Sequence, residues 1–155
     1  LVYSQKALDN WYKENDTLQM ANLYKYVGLL KGRLGNNQDA ENDIHKAIKL
    51  YKEAGFERGV AVSEINLSEV YFRTEKYMES EALFLKSTMF WNSVDDQSRV
   101  FTNNMLGMRI YSATGDEKRV SQLIKENREI QGQVELNEFL QNTFSELLDE
   151  LNSSK

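Results

Sequence analysis

The chain has 155 residues, 41% of them hydrophobic and 28% charged, and its 19 Lys and Arg residues against 24 Asp and Glu residues give a formal net charge of −5. This composition is typical of a folded globular protein, and the acidic balance argues against the clustered basic charge of a nucleic-acid-binding surface. Because the chain has no cysteine, it has no disulfide framework, no thiolate nucleophile and no cysteine zinc site.

Proline is also absent, which favours helices throughout, because proline is excluded from helix interiors and common in loops. No apolar run approaches the roughly 18–20 residues of a membrane span, and no signal peptide is visible. The chain begins at Leu1, inside what we interpret below as a repeat. We therefore expect it to be a fragment of a longer protein.

In chain order, the spacing of apolar residues predicts helices at residues 1–14, 18–33, 38–53, 57–73, 77–92, 97–113, 117–130 and 135–151. In the first helix Ala7, Leu8 and Trp11 share a face, and in the second Leu23, Val27 and Leu30 do so. The helix at 38–53 is expected to bury Ala40, Ile44, Ala47, Ile48 and Tyr51. Predicted breaks between the helices are Asn15-Asp16-Thr17, Gly35-Asn36-Asn37, Gly55, Thr74-Glu75-Lys76, Asp95-Asp96, Gly115-Asp116 and Gly132.

Sliding the sequence against itself by 40 residues aligns these segments. Gly35 meets Glu75 and Gly115, and Ile44 meets Phe84 and Ile124. We therefore predict one all-α domain at 1–155, divided into a half repeat at 1–16, repeats at 17–56, 57–96 and 97–131, and a capping helix at 135–151. Each repeat is a helical hairpin that buries its apolar faces only by stacking on its neighbours.

This pattern resembles the tetratricopeptide repeat (TPR) family over residues 1–130. The matching positions of the first full repeat are Tyr24, Val27-Gly28, Gly35-Asn36, Ala40, Ile44 and Ala47. The second has Leu67-Ser68, Tyr71, Tyr77, Ser80, Phe84 and Ser87, and the third has Leu106-Gly107, Tyr111, Gly115-Asp116, Val120 and Ile124. The family's terminal proline is absent, and one extra residue separates Leu106-Gly107 from Tyr111.

The resemblance implies a right-handed superhelix of antiparallel hairpins, an α-solenoid, whose first helices line a concave surface. The 40-residue period resembles the long-helix subclass, which includes bacterial peptide-binding regulators, sensor regions of kinases and transcription factors, and scaffold proteins. We therefore expect a protein- or peptide-binding module, with no enzymatic activity and no cofactor.

The polar and apolar side chains of the first helices supply the expected contacts on the concave face. They are Asn22, Lys25, Leu29, Arg33, Asn66, Glu69, Phe72, Arg73, Asn104, Met105 and Arg109, with Ile65 and Ser112 beside them. Asparagine offers a donor and an acceptor to a peptide backbone, and Arg or Lys can bind a carboxylate. Asn66 is the main candidate, because ligand-binding members of the subclass often carry Asn before the Leu67-Ser68 position.

An alternative is that the array mediates self-association or acts as a spacer in a sensor kinase or transcription regulator, with no separate ligand. The apolar stripe of the last helix would then serve a homodimer instead of capping the array on residues 117–130. Its members are Leu136, Phe139, Leu140, Phe144, Leu147, Leu148 and Leu151.

Metal, phosphate and catalytic sites have weaker support. His45 is the only histidine and is expected to face water, which argues against metal binding and against a catalytic triad. The pairs Asp95-Asp96 and Asp116-Glu117 are explained by capping at helix starts better than by acid–base chemistry. The spacing of a phosphate loop is absent.

Overall fold

A computed structural model describes residues 2–153, with side chains from residue 13 onwards. These residues form helices and connecting turns without a strand. The helices are α1 (Val2–Arg33), α2 (Asn37–Glu53), α3 (Glu57–Arg73), α4 (Tyr77–Ser93), α5 (Gln97–Ala113), α6 (Glu117–Gln133) and α7 (Glu138–Ser153). The predicted all-α helical-repeat fold is confirmed.

The helix lengths and turn conformations of the backbone repeat with the 40-residue period. Helices α2 to α6 each have 17 residues and are separated by three-residue turns. Gly35, Glu75 and Gly115 lie 40 residues apart and have positive φ angles of 84°, 60° and 77°. Gly55 and Asp95, at 65° and 55°, repeat the same conformation in the intervening turns. A left-handed residue therefore ends each of the helices α1 to α5 at a fixed place, whether or not it is glycine.

The chain divides between Thr74 and Glu75 into two compact units. In unit 1, α2 packs between α1 and α3. All five core residues predicted for α2 are buried, and Ala40, Ile44, Ala47 and Tyr51 are fully so. Close packing with α1 depends on Gly28, where an added Cβ would lie 2.8 Å from Ile44 Cγ1 and 3.2 Å from the carbonyl oxygen of Ala40.

In unit 2, α5 packs against α4, α6 and α7. Phe84 is buried against α5, its ring edge-on to Tyr111 with ring centroids 6.1 Å apart. Gly107 makes room for it, because an added Cβ would lie 2.5 Å from Phe84 Cζ. The last helix docks through Phe144, whose ring lies 5.2 Å from that of Phe101.

Two predicted breaks are wrong. Residues 15–17 lie inside α1, which is continuous, and they provide no cap for a new helix. No glycine or proline interrupts α1 here, and Thr17 Oγ1 donates to the carbonyl oxygen of Lys13 at 2.8 Å within the helix. Gly132 likewise lies inside α6, and α7 begins at Glu138, three residues later than predicted. The predicted face of Ala7, Leu8 and Trp11 lies outside the described side chains.

None of the described helices is long and apolar enough to cross a membrane.

Candidate functional site

Helix α3 has one accessible face. Most of its circumference faces the core, and its buried residues are Gly59, Ala61, Ser63, Glu64, Leu67, Ser68 and Val70. The side chains left half-buried or exposed include the predicted set of Ile65, Asn66, Glu69, Phe72 and Arg73. The predicted exposure therefore holds in full for Arg73 and in part for the other four residues, which the helical period separates from the buried positions.

Helix α1 contributes the other predicted residues of unit 1. Asn22 and Arg33 are exposed, and Lys25 and Leu29 are half-buried. Asn22 Oδ1 accepts a 2.6 Å hydrogen bond from Tyr51 Oη and a 3.4 Å bond from Lys25 Nζ. The Lys25 ammonium also lies 4.4 Å from the centre of the Tyr26 ring, a cation–π distance.

Helices α1 and α3 come close together at Gly32, which is itself buried. Arg73 Nη1 lies 3.6 Å from the point that a Cβ of Gly32 would occupy, so the guanidinium extends over α1. Arg73 also forms an ion pair with Glu69, one helical turn earlier. We call this combined surface the α1–α3 face, and its residues are Asn22, Lys25, Leu29, Arg33, Ile65, Asn66, Glu69, Phe72 and Arg73.

In unit 2 the prediction of exposed residues partly fails. Arg109 and Ser112 are exposed on α5. Asn104 and Met105 were expected to be exposed, but they are buried, with 1% and 8% of their surface accessible. The 40-residue register aligns Asn104 with Glu64, which is also buried, so the two units bury a polar residue at the same repeat position.

Asn104 belongs to a buried polar network that the sequence did not reveal. Its Nδ2 donates to Asn127 Oδ1 at 3.0 Å, and Asn127 Nδ2 donates to the carbonyl oxygen of Phe101 at 3.0 Å. The adjacent Asn103 donates to Ser87 Oγ at 2.9 Å. These two neighbouring asparagines therefore connect α5 to α4 on one side and to α6 on the other.

A tyrosine–glutamate bridge recurs in the two units. Tyr71 Oη donates to Glu41 Oε1 at 2.9 Å, and Tyr111 Oη donates to Glu81 Oε1 at 3.0 Å, where Arg119 also pairs with Glu81. Both pairs connect an α-helix to the helix before it across the same sequence separation. Burial raises the pKa of the Tyr111 phenol, and the hydrogen bond to Glu81 raises it further.

The equivalent position in α1 is Lys31, which donates to Asp43 Oδ2 at 2.6 Å. This hydrogen bond raises the pKa of the Lys31 ammonium. His45 is exposed, as predicted, with Nε2 3.3 Å from Tyr71 Oη and 4.0 Å from Glu41 Oε1. Among the described residues, no group of three or more His, Cys, Asp or Glu side chains is placed to hold a metal ion.

The capping prediction for the acidic pairs is confirmed at two residues. Asp96 and Asp116 are the N-caps of α5 and α6, and each carboxylate accepts from the backbone N–H three residues later, at 3.2 Å and 3.1 Å. Asp95 occupies the left-handed turn position before the cap. The geometry of these acids is that of helix starts.

The last helix uses its apolar stripe within its own chain. Phe144 and Leu147 are buried, and Leu136 is buried just before the helix begins, whereas Phe139 is exposed. The docking is on α5 through Phe101, and the last turn of α7 also borders α6 at a shallow cleft of ≈ 160 Å³. The last helix thus covers the end of the array as a cap, but its main contact is with α5 and not with residues 117–130 as predicted.

Two other surfaces expose large apolar side chains. On α1 these are Met20, Leu23, Tyr26 and Leu30, followed by Leu34 just after the helix. On α4 they are Met78, Leu85 and Met89. Leu23, Val27 and Leu30 do share a face, as predicted, but Leu23 and Leu30 are exposed and the core side of α1 is lined by Ala21, Gly28 and Gly32 instead.

Comparison with known proteins supports the fold alone. No family model matches the chain, and no curated protein matches it. Among solved structures, the chain is similar to the crystal structure of BtubC (BKLC) from P. vanneervenii, with a TM-score of 0.72 and 20% sequence identity. The similarity covers 82% of this chain and 53% of BtubC, so the chain spans about half the length of that neighbour.

Proposed function

We propose that this chain is a TPR-like binding module whose α1–α3 face holds a segment of another protein in extended conformation. The observation that carries the proposal is the position of Arg73, which extends from the accessible side of α3 over Gly32 of α1. It makes the accessible sides of the two helices contiguous, so that one peptide can contact both.

The chemistry of the α1–α3 face fits a peptide with both polar and apolar contacts. Asn66 is half-buried, and its amide can donate to a backbone carbonyl and accept from a backbone N–H. Leu29 and Phe72 are half-buried and offer apolar contact nearby on the same two helices. An extended peptide needs this combination, because its backbone groups lose water when they bind.

The charges of the α1–α3 face favour a peptide that carries one carboxylate over a phosphate group. Arg33 is exposed at the end of α1, and Arg73 is held by Glu69. The carboxylate of Glu69 offsets the charge of Arg73, so the face is not a phosphate site made of cations alone. We therefore expect a carboxylate of the ligand to bind at Arg33.

A selection from a library of random peptides tests the proposal. Selected peptides would be measured by isothermal titration calorimetry against the unmodified chain and against Asn66→Ala and Arg73→Ala. Loss of an amide that bonds the peptide backbone should weaken binding by about tenfold, equivalent to about 1.4 kcal/mol. Asn92→Ala, at an exposed asparagine near the end of α4, is the matched control and should leave the affinity unchanged.

If the selected peptides bind Asn66→Ala and Arg73→Ala as tightly as the unmodified chain, the α1–α3 face is not the binding surface. If they lose affinity only with Asn92→Ala, the surface lies in unit 2. Circular dichroism spectra of all variants must coincide for either comparison to count.

Self-association is the second candidate function, favoured by one specific observation. Helix α1 exposes large apolar side chains on a side that is separate from the α1–α3 face, and no other part of the described chain covers them.

A further inference from the structure

One side of α1 presents a continuous apolar stripe to solvent. We define the α1 stripe as Met20, Leu23, Tyr26, Leu30 and Leu34, whose accessible fractions run from 50% at Met20 to 70% at Leu34. Single exposed apolar residues are ordinary, but a contiguous set on one helix is not. The stripe therefore marks an interaction surface.

The spacing of the stripe is that of a helix–helix seam. Met20, Leu23, Val27, Leu30 and Leu34 follow one another at alternating intervals of three and four residues. This alternation keeps side chains aligned along one side of a helix that pairs with another helix. The small residues that pack against the rest of unit 1 lie on a different side, so the seam faces away from the unit's own core.

The area of the stripe is near what a helix pair in a dimer requires. Aromatic side chains bury about 150–250 Å² each and aliphatic ones somewhat less, so Tyr26 and four aliphatic side chains at these exposures together present on the order of 500 Å². A stable interface buries about 800 Å² on each partner. The half-buried Val27 lies within the stripe, and the exposed Asp16 and Arg33 extend it at its two ends.

The charges at the two ends of the stripe define an orientation. Asp16 lies one turn before Met20 in line with the stripe, and Arg33 lies beside Leu34 at its other end; both are exposed. Two copies of α1 in antiparallel orientation bring Asp16 of each near Arg33 of the other. A parallel pair would instead bring like charges together, which is unfavourable.

We propose that the α1 stripe pairs two copies of this chain, α1 against α1 in antiparallel orientation. A central layer then consists of Leu23 of one copy against Val27 of the other, and Met20 packs against Leu30. This dimer uses neither α3 nor the last helix and shares only Arg33 with the α1–α3 face, so the test with Leu23→Glu and Leu30→Glu does not depend on the proposed peptide-binding function.

Sedimentation velocity over a range of micromolar concentrations tests the pairing. The unmodified chain should show a concentration-dependent dimer, and Leu23→Glu combined with Leu30→Glu should be monomeric at every concentration. Met89→Glu is the matched control, since it puts the same charge on an exposed apolar residue of α4 and should leave dimerisation unchanged. Circular dichroism checks that helicity is retained.

A chain that stays monomeric at all concentrations overturns the proposal and leaves the stripe to another helix. A dimer that persists in the Leu23→Glu and Leu30→Glu variant overturns it as well, because the interface would then lie elsewhere.

Charge reversal tests the orientation. Asp16→Lys or Arg33→Glu alone should weaken the dimer by about tenfold, because each affects two symmetry-related pairs worth roughly 0.5–1 kcal/mol apiece. The two changes together should restore the affinity. Failure of the double variant to recover the loss overturns the antiparallel arrangement.

Disulfide trapping provides an independent readout, because the chain has no cysteine of its own. Leu34→Cys lies at the end of the seam, so its two copies are far apart in the antiparallel dimer and adjacent in a parallel one. The variant should stay uncrosslinked under mild oxidation, whereas Asp16→Cys combined with Leu34→Cys should crosslink. Efficient crosslinking of Leu34→Cys alone overturns the proposed orientation.

Discussion

The buried pair Asn104–Asn127 allows a quantitative test of how unit 2 is held together. The two side chains have 1% and 0% of their surface accessible, and they share a 3.0 Å hydrogen bond between α5 and α6. Leucine has a similar length and no polar atoms, so replacing one partner removes the bond and leaves the other partner's polar atom buried without it. Replacing both removes the two amides together and leaves only the carbonyl oxygen of Phe101 without its side-chain donor.

The change in the free energy of unfolding depends on whether a substitution leaves a buried polar atom without a hydrogen-bond partner. A buried polar atom without a partner costs about 1–3 kcal/mol, and a shape change that the core can accommodate costs less than about 1.5 kcal/mol. We expect Asn104→Leu and Asn127→Leu each to lower the free energy of unfolding by about 2–4 kcal/mol. The double variant should lose no more than about 2 kcal/mol, well below the sum of the two single losses.

Urea denaturation followed by far-ultraviolet circular dichroism measures these free energies by linear extrapolation. Asn142→Leu, at an exposed asparagine of α7, is the matched control and should change stability by less than about 0.5 kcal/mol. Additive losses in the double variant, with no coupling energy, would refute the assignment of this pair as a hydrogen-bonded unit.

Two further predictions concern the repeated turn and the buried tyrosines. Glu75 has a φ of 60° at the position that glycine occupies in the turns 40 residues before and after it. Glu75→Gly should therefore raise the free energy of unfolding by about 0.5–1 kcal/mol, seen as a higher Tm in calorimetry, and a lower Tm would contradict the strain argument. Burial raises the pKa of the phenols of Tyr51 and Tyr111 above their ordinary value of 10.0. The folded state thus favours the neutral phenols, so this stabilisation is complete below about pH 10 and is lost as the pH rises through the raised values. Urea denaturation at about pH 9 and about pH 11 should show the loss, and Tyr51→Phe should reduce the slope; an unchanged slope would argue against Tyr51 as a titrating group.

The sequence by itself determined the helices and their period, because both depend on local properties. Glycine and asparagine at turns, apolar residues at helical spacing and self-similarity at 40 residues predicted the start of α3 at Glu57 and of α5 at Gln97 to the residue. The same period identified Ala40, Ile44 and Ala47 as core positions. The break predicted at residues 15–17 failed, because polar residues without glycine or proline can continue a helix when neighbouring turns stabilise it.

The tertiary structure decided which sides of these helices are covered. Asn104 is polar and was predicted to be exposed, but Asn127, 23 residues further on, satisfies its amide inside the core. Leu23 and Leu30 are apolar and share a face, but Gly28 and Gly32 let α2 and α3 approach α1 on another side and leave the leucines in solvent. A residue's polarity predicts burial only when the partner it will meet is known, and that partner is set by packing between segments distant in sequence.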